Sequence, residues 1–184
     1  MTAETLSAEL RRALLALARA AIEAQLRGGH PQPQAQVPEE LRRNRGAFVT
    51  LRRRADHELR GCVGFVEPLF PLCEAVARAA VAAATQDGRF APVEAGELPQ
   101  LALDISVLGL TQPIAAAAVE VGVHGLIVRW AGRGGLLLPQ VAVEHGWSRE
   151  AFLDHTCLKA GLPAGTWRRA DAELLAFEAE VFGE

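Results

Sequence analysis

GAFVTLRRRADHELRGCVGFV, residues 46–66, places two strand-like runs on either side of the short segment ADH. Residues 46–54 and 58–66 are rich in β-branched and aromatic side chains, and so short a connection joins them as a hairpin. The second run holds Gly61 and Gly64, with Cys62 between them. Glycine weakens a strand unless a bulge, another backbone or a ligand requires the close approach.

Working outward from this hairpin, the alanine-rich run from Leu69 to Thr85 is apolar around most of its circumference and predicts a buried helix. QDGRFAP then reads as a turn. LALDISVLG (101–109) alternates Leu101, Leu103, Ile105 and Val107 against Ala102, Asp104 and Ser106, a strand with one deeply buried face. GLIVRW (125–130) and LLLPQVA (136–142) flank AGRGG and predict a second hairpin, with the glycines supplying the turn. Ser148 is placed to cap a helix over REAFLDHTCLKA, with Gly161 as its stop. ELLAFEAEVF (173–182) fits a closing strand, although its glutamates and alanines also permit helix.

Upstream, residues 5–27 put Leu6, Leu10, Leu14, Leu17 and Ala21 on one helical stripe, ended by Gly28 and Gly29. The proline-bearing segment HPQPQAQVP (30–38) predicts a loop between this helix and the body. Hairpins with helices inserted between them give an α+β fold, a mainly antiparallel sheet flanked by helices.

Composition narrows the function classes. The 184 residues are 50% hydrophobic and 22% charged, an ordinary globular balance. No apolar run approaches the roughly 20 residues that span a bilayer, and MTAETLSAELRR lacks the layout of a secretory signal. Cys62, Cys73 and Cys157 are odd in number and unpaired in spacing, which predicts a reducing, cytoplasmic setting without disulfides. A formal charge of −3 makes nucleic acid an unlikely partner. The arginines at 42, 43, 45, 52, 53, 54 and 60 read first as a solvated edge relieved by Glu39, Glu40, Asp56 and Glu58, with phosphate binding as the alternative.

Cys62 carries the chemical question. Arg60 lies two residues away, so on a regular strand the two share a face, and the cation would favour a thiolate. Packed as a core residue, the thiol would instead be inert. A cysteine nucleophile wants a histidine base. His124, in GVHGL, is the best placed of the five histidines, whereas His57 falls at the hairpin tip, His145 at a turn and His155 on a helix. Arg89 in QDGRF is a candidate anion contact, with Asp87 beside it as a local partner. Gln140 and Glu144 share a face only if their segment is helical. No spacing of His, Cys or carboxylates suggests a metal, and no cofactor loop is visible.

These segments together resemble the AMMECR family, whose prokaryotic members are called AmmeMemoRadiSam system protein A. Its hallmark L-R-G-C-[IV]-G stands here as Leu59 to Gly64. GAFVTL (46–51), RFAP (89–92), DISVL (104–108), GVHGLIV (122–128), LLLPQVAVEHGW (136–147) and CLKAGLP (157–163) follow in the family's order. Gly88 departs from the usual D-P-R-F. The resemblance covers residues 8–182 as one domain. It implies two unequal lobes and a cleft at LRGCVG for a small anionic ligand, drawing on Arg60, Gly61, Cys62, Gly64, Arg89, His124 and Gln140. It also implies association with a Memo-like protein and a radical S-adenosylmethionine protein. Two functions follow: a non-catalytic partner or adaptor of that system, or an enzyme with Cys62 as nucleophile and His124 as base.

Overall fold

Ser7 opens the first helix, α1 (Ala8–Leu26), by accepting a hydrogen bond from the Leu10 N–H. In the computed structural model, which describes residues 5–29 and 37–184, Gly28 follows that helix at φ 75°. Glycine takes this left-handed turn at little cost. Leu14, Ala18, Ala21 and Ile22 form the buried face, while Leu10 and Leu17 of the expected stripe are only partly covered. The face is therefore turned slightly from the leucine row. The loop expected at 30–38 lies outside the described residues except for Val37 and Pro38.

The described residues divide into two compact units, 5–29 and 37–108 with 180–184 in one, and 109–179 in the other. In the N-terminal unit, β1 (Ala47–Arg53) pairs antiparallel with β2 (Leu59–Phe65) on one side. On its other side lies β3 (Leu101–Leu108), also antiparallel. Between β2 and β3 the chain forms α2 (Leu72–Thr85), which starts after Pro71 rather than at Leu69. Proline suits a helix start because its fixed φ and missing N–H cost nothing there. Ala47, Val49, Leu51, Leu101, Leu103, Ile105 and Val107 turn one sheet face into a core shared with α1 and α2.

Small residues set the spacing in that core. The face of α2 is Leu72, Ala75, Val76, Ala79, Ala80, Ala83 and Ala84. A Cβ at Gly61 would fall onto the carbonyl oxygen of Ala83, so the glycine lets the helix backbone rest on the strand. Residues 180–184 tie α1 down: the Glu180 carboxylate accepts from Arg11 Nε at 2.7 Å and from the Leu6 N–H. The Glu184 carboxylate receives Arg19 Nε at 2.8 Å and Arg54 Nη2 at 2.6 Å.

The C-terminal unit contains β4 (Gln112–Pro113), β5 (His124–Trp130), β6 (Arg133–Leu137), α3 (Pro139–Glu144), α4 (Arg149–Lys159) and most of β7 (Glu173–Gly183). β5 pairs antiparallel with β6 and β7, and β4 pairs with β7. Segment 173–182 is thus strand. The second hairpin exists, but its turn is only Ala131 and Gly132, at φ 51° and 75°. Two left-handed residues give the tight turn that matches strand twist. Its second strand occupies 133–137, and Pro139 to Glu144 is helix, not strand. Two features explain the correction. Gly135 passes so close to Ala160 that a side chain there would overlap its backbone, and Pro139 opens a helix and cannot serve a strand ladder. Ser148 caps α4 by accepting from the Ala151 N–H, as expected. Every pairing within these units is antiparallel, so the fold is α+β.

The Gly61 contact is testable. Gly61→Ala should destabilise the protein by about 1–3 kcal/mol through overpacking. Gly88→Ala meets open space and should change stability by less than about 0.5 kcal/mol. Urea unfolding of both variants measures this, and equal midpoints would show that α2 yields without cost.

Candidate functional site

β2 is an outer strand of its sheet, flanked by β1 alone. Its register against β1 places Thr50 opposite Cys62 and Leu51 opposite Gly61, then skips Arg60 so that Arg52 faces Leu59. The skipped residue is a bulge, and a bulge re-aims its side chain. Arg60 and Cys62 therefore do not act as a simple i, i+2 pair. Arg60 forms a two-point ion pair with Glu97, at 2.6 and 3.0 Å. It is not the cation that serves the thiol.

Cys62 is half-buried, and its hydrogen-bond partners belong to its own unit. The Thr50 hydroxyl lies 3.2 Å from Sγ and donates to it. The Cys62 N–H points away from β1 and donates to Asp87 Oδ2 at 2.9 Å. Arg89 Nη2 reaches the Cys62 carbonyl at 3.5 Å. Asp87 and Arg89 are themselves joined twice, Nε to Oδ1 at 2.9 Å and Nη2 to Oδ2 at 2.7 Å. Phe90 lies beneath both guanidiniums, with its ring centre 5.9 Å from that of Arg60 and 5.4 Å from that of Arg89. Aromatic faces favour such cations.

The electrostatics follow from this enclosure. Burial pushes the Cys62 thiol above its ordinary value; the Thr50 hydrogen bond and the Arg89 charge pull it down, but not enough. The Arg89 guanidinium holds the Asp87 carboxyl well below the usual carboxylate range, assisted by the N–H groups of Cys62 and Arg89. Burial thus disfavours the thiolate of Cys62, beside the Asp87 carboxylate.

The remaining expected residues sort by unit. Gly61 admits the Ala83 carbonyl, and a side chain at Gly64 would overlap Phe48 and the Ala47 carbonyl, so both glycines make room for protein. His124 and Gln140 belong to the C-terminal unit, at the start of β5 and on α3. His124 Nδ1 accepts the Glu120 N–H at 3.0 Å, which occupies the lone pair a base would use there. Gln140 and Glu144 do share a helix face. His57 sits exposed at φ 58° in the hairpin turn. Trp147 lies stacked between His145 and His155, at 4.7 and 3.8 Å, an arrangement that separate readings of the two histidines miss. Among the described residues no three His, Cys, Asp or Glu side chains gather as a metal site requires, and no helix is long and apolar enough to cross a membrane.

The model of the AMMECR1 family matches residues 15–182. The chain belongs to this family. Its relatives there include protein MK0488 of Methanopyrus kandleri, 44% identical over 189 aligned positions that cover 98% of this chain and 91% of the relative. A Thermococcus gammatolerans protein is 46% identical, covering 93% of this chain and 88% of the relative. Among solved structures, the crystal structure of the uncharacterized protein PH0010 from Pyrococcus horikoshii is similar at 42% identity and a TM-score of 0.93. That match covers 97% of this chain and 93% of the other. LRGCVG is therefore, in this AMMECR1-family chain, an outer strand closed by the turn that follows α2.

Asp87 gives a signed pH dependence. Because folding lowers its affinity for a proton, its contribution to stability is complete above the unfolded carboxylate value of about 4 and is lost as pH falls below it. Asp87→Asn should lower the urea midpoint at pH 7, and the gap from wild type should shrink from about pH 4 downward. A gap independent of pH would mean that the Asp87–Arg89 pairing contributes no charge.

Proposed function

We propose that this AMMECR1-family chain is a non-catalytic partner or adaptor within a cytoplasmic system of a Memo-like protein and a radical S-adenosylmethionine protein. One observation supports the reading: the polar groups around LRGCVG are committed to one another. Arg60 is matched by Glu97, and Arg89 by Asp87. The thiol of Cys62 receives a hydrogen bond from Thr50, and burial disfavours its ionisation. A nucleophile needs a thiolate or an adjacent base, and among the described residues of its own unit no histidine is hydrogen-bonded to Cys62. The proposal includes no small anionic ligand, since both guanidiniums already carry carboxylates. A rigid surface with paired charges suits recognition of a protein face, where complementary charges fix register more than they add affinity.

Two measurements test this. The full chain, co-expressed with the Memo-like and radical S-adenosylmethionine proteins of the same genome, should co-elute with at least one of them. Cys62→Ser should leave that complex intact. Iodoacetamide labelling of Cys62, followed by mass spectrometry, should rise only above the ~8.5 of a free thiol. Failure to co-elute with either protein would overturn the adaptor reading. A labelling midpoint below that of a free thiol would support the nucleophile instead.

A further inference from the structure

The C-terminal unit holds a concavity of about 570 Å³, within the range of small-molecule sites. Its apolar surface is Pro113, Ile114 and Leu174, one wall is Trp167, and its rim carries Arg168 and Glu173. Trp167 is a fixed wall: its indole N–H donates to Asp154 Oδ1 at 2.7 Å, and the same oxygen accepts the Gly165 N–H at 2.8 Å. One carboxylate thus anchors both the ring and the turn that carries it.

Arg168 is the unusual member. Its guanidinium lies 4.0 Å from the Trp167 ring centre, a stacking that orients the planar group. Its carboxylate neighbours are distant, Asp154 at 3.8 Å and Glu150 at 4.0 Å, and among the described residues the guanidinium donates no hydrogen bond. Most other arginines near a carboxylate here do donate one, as Arg60 does to Glu97 and Arg169 does to Asp171. Arg168 is therefore oriented by its ring and by two long ion pairs, and a ligand carboxylate at hydrogen-bond distance would compete with Asp154 and Glu150 for it. A carboxylate matches that fork with two parallel hydrogen bonds.

We infer that this concavity binds a small monocarboxylate with an apolar or aromatic body, the carboxylate on Arg168 and the body against Trp167, Ile114 and Leu174. Glu173 on the rim is paired with Arg129 at 3.4 Å, and the shallow apolar surface disfavours ions without a hydrophobic part. The site is independent of LRGCVG and of the adaptor reading.

The test uses the full ¹⁵N-labelled chain, whose three tryptophans give three indole signals. Trp167→Phe assigns the one that matters. Phenylacetate should shift the Trp167 signal saturably and bind at least about tenfold more tightly than 2-phenylethanol, its neutral counterpart. Arg168→Gln, a change at an exposed side chain, should bring the two ligands to within about threefold of each other. Equal affinity of the two ligands for the wild-type chain would overturn the site. So would equal shifts of all three indoles, or no saturable shift of Trp167 up to about 20 mM phenylacetate.

Discussion

The contact of Gly61 with the Ala83 carbonyl sets how closely α2 rests on the sheet of the N-terminal unit. A helix packs tightly on a sheet only where neither element projects bulk, and here β2 gives up a side chain while α2 offers alanines. Small residues bury little apolar area each, so their contribution depends on closeness: dispersion gains fade once a gap of a fraction of an ångström opens. The alanine face, the hallmark glycine and the short α2–sheet distance thus stand or fall together. With Gly61 facing the helix, strand alternation puts Cys62 on the opposite face.

That placement creates a second requirement. Cys62 directs its N–H and carbonyl away from β1, and an outer strand with open backbone groups invites pairing with another chain. The turn after α2 meets the requirement with side chains. The Asp87 carboxylate takes the donor, and Arg89 approaches the acceptor, so the pair imitates the hydrogen bonds of an absent neighbouring strand. The sequence blocks LRGCVG and DGRF, 25 residues apart between Cys62 and Asp87, are two halves of one device. Gly88 in place of the family's proline does not disturb it, because Asp87 and Arg89 still bond each other directly.

Much of this was legible beforehand, and the parts that were not share a cause. The β1–β2 hairpin, the alanine helix, the β3 alternation, the Ser148 cap and the closing strand all follow from periodicity or turn chemistry within a few residues. The β6–α3 boundary was misplaced because LLLPQVA is apolar throughout and periodicity cannot separate strand from buried helix in so short a run. Only Pro139 marked the change. The bulge at Arg60 was invisible because register depends on the partner strand. Thr50 could have been found, since the hairpin pairing places it across from Cys62. Glu97 could not, because its approach to Arg60 spans 37 residues of chain.

Arginine in this protein shows why the number of cations in a stretch says little about where a site is. The stretch 42–60 is densely basic, yet Arg53 and Arg60 donate hydrogen bonds to carboxylates and Arg45 donates to the Leu108 carbonyl. A matched guanidinium must lose its partner before it can bind an anion, and that loss cancels most of what the new contact would supply. Arg168 stands in a segment with no such density. Its orientation comes from a ring, and its carboxylate neighbours stand 3.8 and 4.0 Å away without a hydrogen bond, so a ligand there displaces weaker contacts than it would at Arg60. What separates a recognition group from a structural one is its remaining hydrogen-bonding capacity, which residue type alone does not reveal.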